Sequence, residues 1–169
     1  MSDSTKNLII RIVIHGVILL VLYVAQAMVF PHLRIWNVAP LILPLAVVGV
    51  GLFEGPTWGG WFGTAAGILS DVAFSDSTVL FTVILAAAGL LVGLASEYLL
   101  SRGFPSYLVC SALVLVLIAF SQMFGLLVFR RESPLVLLQV AGLQSLYSLV
   151  FALPLYYVAR RLGRRVRAQ

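Results

Sequence analysis

The chain has 169 residues, 62% of them hydrophobic and 10% charged, with a formal net charge of +5. A water-soluble domain of this length could not hide that much apolar surface, so the composition excludes a soluble catalytic domain and selects a chain embedded in a bilayer almost throughout. Five of the eleven Lys and Arg residues lie in the last ten positions; directly behind an apolar run they read as an anchor on anionic lipid, not as a nucleic-acid patch.

Apolar runs and breaks predict an all-α membrane protein, a single bundle of six transmembrane helices over residues 1–169. The first span runs from about 8 to 30 and stops before Pro31. Ala25-Gln26-Ala27 within it matches a signal-peptidase pattern, but apolar residues continue beyond it, and cleavage would put the arginine tail outside against the charge rule. The second span, about 38 to 53, contains Pro40 and Pro44, and the turn Glu54-Gly55-Pro56 follows, with Glu54 expected in solvent. The third runs from about 57 to 74 and the fourth from about 79 to 100. The fifth runs from about 106 to 129 and the sixth from about 134 to 158, leaving a basic tail at 159–169. Most meet the roughly 20 residues needed to cross hydrocarbon; the second and third are short. With six spans, Lys6, Arg11, Arg102, Arg160, Arg161, Arg164, Arg165 and Arg167 share one side, and Arg34, Arg130 and Arg131 the other. The positive-inside rule then predicts that both termini are cytoplasmic.

The strongest pattern is a ladder. Gly59, Gly63, Gly67 and Asp71 recur every four residues, about one helical turn, so they form one ridge. Glycines there admit another helix to backbone contact, which matters most in lipid, where no hydrophobic push joins helices. Asp71 is costly in hydrocarbon and is expected to face a partner helix, a water-filled cleft or a ligand. Gly89, Gly93 and Glu97 repeat the theme on the fourth span, with Arg102 placed to pair with Glu97. Gly63→Leu or Gly67→Leu is expected to weaken assembly more than Gly49→Leu.

The remaining polar residues have ordinary readings. His15 is an interfacial hydrogen-bonder one turn past Arg11. Gln122, Gln139, Gln144, Ser145 and Ser148 are interhelical hydrogen-bonders, Gln144 and Ser148 sharing a face. Trp36, Trp58, Trp61, Tyr156 and Tyr157 form an aromatic belt, and Cys110 is a small buried hydrophobe. His15 and His32 lack metal-ligand spacing, and no Gly-x-Ser-x-Gly, phosphate loop or dinucleotide fingerprint occurs, so no catalytic, metal or cofactor residue is assigned.

Ala39-Pro40-Leu41-Ile42-Leu43-Pro44, followed by Gly55, Gly59, Gly63 and Gly67-Ile68-Leu69-Ser70-Asp71, resembles MreD, the rod shape-determining membrane protein family. The likeness covers roughly residues 39 to 97. It departs after Asp71, where relatives often carry a glycine and this chain has Val72-Ala73-Phe74-Ser75-Asp76-Ser77. The resemblance implies a non-enzymatic scaffold of the bacterial cell-elongation machinery in the inner membrane. It implies a bitopic MreC-like partner, with MreB, RodA and a penicillin-binding transpeptidase in the wider complex, and leaves room for a homo-oligomer. It also implies the six-helix architecture of the substrate-binding subunits of energy-coupling-factor transporters. The alternative function is such a subunit, with Asp71, Asp76, Trp36 and Arg34 around an outer pocket.

Overall fold

The computed structural model describes residues 3–29, 40–73, 81–98, 103–130 and 134–167, and among them every regular element is helical. In chain order these are α1 (Asp3–Val24), continuing through a π-helical turn (Ala25–Val29), α2 (Leu43–Glu54), α3 (Pro56–Ala73), α4 (Phe81–Tyr98), α5 (Phe104–Arg130), α6 (Pro134–Val150) and α7 (Ala152–Arg167). Leu8–Met28, Phe81–Tyr98 and Phe104–Gln122 are long and apolar enough to cross a membrane. Gly142–Val150 with Ala152–Arg161, bent by 48°, makes a fourth if a broken helix counts as one span. The protein is thus an all-helical membrane protein with three to four such helices among the described residues, against six expected from sequence.

The differences have local causes. The second expected span, 38–53, contracts to α2. Pro44 stands in its first turn, where a missing N–H costs nothing. Twelve residues rise about 18 Å, short of a hydrocarbon core about 30 Å thick. Every residue of α2 from Leu43 to Phe53 is buried. A helix apolar all round and too short to cross is a core helix. It packs against α3 and α4, and against α5 and α7, while α1 touches the bundle lightly. Gly55 closes α2 at φ 96°, a conformation side chains disfavour, and Pro56 then opens α3.

The sixth expected span breaks at Phe151. Pro154 cannot donate to the carbonyl of Val150, and its ring crowds that carbonyl. The Phe151 N–H bonds instead to the Ser148 carbonyl at 3.0 Å. The bend lays α7 along α2, where a Cβ on Gly49 would stand 2.8 Å from Ala159 Cβ and one on Gly163 2.8 Å from Phe53 Cβ. The expected basic tail at 159–169 is therefore helical as far as Arg167 and packs on α2 at Ala159 and Gly163. Tyr156, expected in an interfacial belt, is instead buried at 5% exposure, its ring 5.2–5.6 Å from those of Phe53, Phe104 and Tyr107. The Tyr107 hydroxyl, also buried, donates to the Leu45 carbonyl at 3.0 Å. Tyr157 and Trp61 are exposed.

Candidate functional site

The glycine ridge of α3 meets α4 of the same chain. A Cβ on Gly59 would overlap the Gly89 carbonyl, one on Gly63 the Leu85 carbonyl, and one on Gly67 the Thr82 Cα. From the other side, a Cβ on Gly89 would overlap the Gly59 carbonyl, and one on Gly93 the backbone of Pro56. Gly51 of α2 completes the joint, its missing Cβ 2.7 Å from the Gly89 carbonyl. Each helix therefore lies against bare backbone of the next, and side-chain rotation cannot relieve an added methyl. The face that the sequence offered to a partner's or a neighbour's helix is occupied by a neighbour in the same chain. Gly49 is a poor control for the ridge, because Ala159 stands against it. Gly60, one residue off the ridge, meets only Leu90 at 3.8 Å or beyond.

Asp71 holds the far end of the same joint. Its Oδ1 accepts the Phe81 N–H at 2.8 Å; its Oδ2 accepts the Thr82 N–H at 3.1 Å and the Thr82 hydroxyl at 2.6 Å. The first N–H groups of a helix have no intrahelical partner, and the helix dipole favours an anion there. Asp71 is thus an N-terminal cap supplied to α4 by α3. The start of α2 is served likewise: Gln26, in the π-helical turn after α1, accepts the Ile42 and Leu43 N–H groups at 3.0 and 2.9 Å. Ser148 of α6 accepts the Leu41 N–H at 2.9 Å while donating to the Gln144 carbonyl at 2.7 Å.

A second constellation lies at the opposite end and escaped the sequence reading. Glu54, expected in solvent, has a side chain only 2% exposed. Its Oε2 accepts from Arg11 Nη2 at 2.9 Å and Nε at 3.3 Å, and its Oε1 faces His15 Nε2 at 2.8 Å. His15 Nδ1 faces the Arg11 carbonyl at 2.8 Å. Both ring nitrogens meet oxygen acceptors, so the geometry is fully satisfied only when both carry hydrogen. Trp58 roofs the group: the Arg11 guanidinium sits 4.2 Å from its ring centroid, and the His15 ring stacks on it at 5.1 Å. Arg11 and His15, four apart on an apolar helix, share one face. That pair was the available signal, since two such groups in lipid need a common counter-ion.

Compared with known protein-family models, curated proteins and solved structures, the chain matches none.

Among the described residues, no three His, Cys, Asp or Glu side chains stand close enough to share a metal ion. Arg160 and Arg161 are exposed on α7, with Arg160 5.9 Å from the Tyr156 ring centroid. Arg164, Arg165 and Arg167 lie on the backbone of that helix, and their side chains fall outside the described residues. Glu97 is exposed near Gly55, and its expected partner Arg102 falls outside the described residues. Of the four residues expected around an outer pocket, Asp71 caps α4; Arg34, Trp36 and Asp76 fall outside the described residues. The Gln139 side chain does too.

Proposed function

We propose that this chain is a non-enzymatic membrane scaffold resembling MreD, holding proteins of the bacterial cell-elongation machinery in register within the inner membrane. The observation that carries this reading is the interlock of α2, α3 and α4. Backbone-to-backbone joints capped by Asp71 form a stiff block with its buried polar groups turned on one another. Such a frame suits holding a shape more than turning over a substrate.

In this reading the six spans are α1, α2, α3, α4, α5 and the bent α6–α7 unit; α2 is too short to cross alone, and the buried residues 40–42 before it complete its crossing inside a sleeve of its neighbours. Both termini are cytoplasmic, so the Glu54 end and the arginines of α7 face anionic lipid and the cytoplasmic partners. Because α4 fills the glycine ridge, a bitopic MreC-like protein docks on the outer apolar faces. MreB, RodA and a penicillin-binding transpeptidase join through it.

The test is depletion in a rod-shaped host, combined with recovery of partners on the tagged protein. Rounding of the cells and co-purification of a bitopic coiled-coil protein are expected. Normal rods on depletion, with a vitamin retained by the purified protein in mass spectrometry, would overturn the reading in favour of a transporter subunit.

A further inference from the structure

α1 is held to the bundle by polar contacts at two points and rests on the core between them through Leu19, Leu22 and Tyr23. Arg11 and His15 hold it to Glu54 at one end, and Gln26 holds it to the start of α2 at the other. Between α1 and α3 runs a groove of about 620 Å³, walled by Leu8, Ile12, Gly16 and Leu19 on one side and by Trp58 and Phe62 on the other. Gly16 faces open space, with nothing within 4 Å of where its Cβ would be. The groove lies within the size range of ligand sites and is mostly apolar, its polar lining being His15 and Thr57 at the Glu54 end.

Three features gather at that end. Arg11 uses Nε and Nη2 on Glu54, while its Nη1 hydrogens meet no acceptor among the described residues; the side chain is 27% exposed. His15, with both nitrogens on acceptors, leaves the Arg11–His15–Glu54 group with a surplus positive charge. The first turn of α3, at Thr57 and Trp58, lines the same groove, and the first N–H groups of a helix have no intrahelical partners. Arg11 lies one turn inside the apolar stretch Leu8–Met28, a depth from which its guanidinium reaches the headgroup layer.

We propose that the groove between α1 and α3 binds one anionic phospholipid, its phosphate on Arg11 and the α3 N-terminus and its acyl chains along Ile12, Gly16 and Leu19. The surplus positive charge beside the groove selects an anionic headgroup, and the apolar walls at Ile12, Gly16 and Leu19 suit its acyl chains. This site is separate from the arginines of α7 and does not depend on the scaffold reading.

The experiment uses the full chain in nanodiscs holding phosphatidylcholine in excess over phosphatidylglycerol, followed by native mass spectrometry of the protein released from them. One phosphatidylglycerol per chain is expected, enriched roughly tenfold over its share of the disc, because phosphatidylcholine carries the same phosphate but offsets its charge with a choline cation. Gly16→Leu fills the groove without meeting backbone, so it should remove the bound lipid while the protein stays folded. Gly142→Leu, at another glycine with open space around it, should leave the lipid in place. Arg11→Gln alone keeps the groove and leaves His15 paired with Glu54, which takes the group from a net +1 to zero, and should abolish the preference for phosphatidylglycerol. Retention unchanged by Gly16→Leu, or equal retention of the two lipids by the native chain, would overturn the proposal. So would a second copy of the chain held at the groove and released by Gly16→Leu.

Discussion

Gly63→Ala and Gly60→Ala place the same methyl group on the same helix, three residues apart, and should act in opposite directions. Both remove a glycine from a helix interior, which by itself favours folding by about 0.8–1 kcal/mol. At Gly60 the new Cβ meets only the flexible Leu90 side chain at 3.8 Å, so that gain stands. At Gly63 it would overlap the Leu85 carbonyl and crowd the Leu85 carbonyl carbon at 2.8 Å and the Ala86 Cα at 3.1 Å. These are backbone atoms of a neighbouring helix, so relief requires α3 and α4 to part along their shared length. Overpacking of this kind costs about 1–3 kcal/mol, and a backbone obstacle places it toward the upper end. The gain is common to both, so the two variants should differ by the overpacking cost alone, about 2–3 kcal/mol. Reversible unfolding in detergent, followed by steric trapping or near-ultraviolet circular dichroism, measures the difference directly. A Gly63→Ala protein as stable as Gly60→Ala would refute the interlock.

Two further outcomes test the polar joints. Asp71→Ala strands the Phe81 and Thr82 N–H groups and should cost about 1–2 kcal/mol, while Asp71→Asn, which keeps a side-chain carbonyl acceptor, should cost less than half of that in the same unfolding assay. Glu54→Ala leaves Arg11 and His15 without their counter-ion and should cost about 3–5 kcal/mol. Adding Arg11→Leu to it should recover part of that loss, and a strictly additive pair in a double-mutant cycle would count against the shared site.

Much of this was legible from spacing alone, and the misses share a cause. The period-four glycines mark one ridge, because residues four apart share a helix face whatever the neighbour. Spacing carries no information about which helix fills the ridge, so the role of α4 had to come from tertiary structure. Glu54 was misplaced because a glycine–proline turn ordinarily lies in solvent; its burial depends on Arg11, 43 residues upstream. Tyr156 was misplaced because an interfacial tyrosine and a core tyrosine have the same local sequence, and only the bend before Pro154 turns this one inward. α2 carried the pattern of a short span, and its length was the clue that it belongs to the core.

The placement of α2 has a consequence for how the protein is made. Its opening amides are claimed by Gln26, already synthesised, and by Ser148, which the ribosome reaches more than a hundred residues later. Until that segment arrives, a helix too short to reach across the lipid has an uncovered flank and an unanswered N–H. Biogenesis of this chain therefore cannot proceed as one finished segment after another. The insertion machinery must shelter the early half until the late half closes over it, so truncation after α4 should leave a product bound to chaperones and marked for degradation.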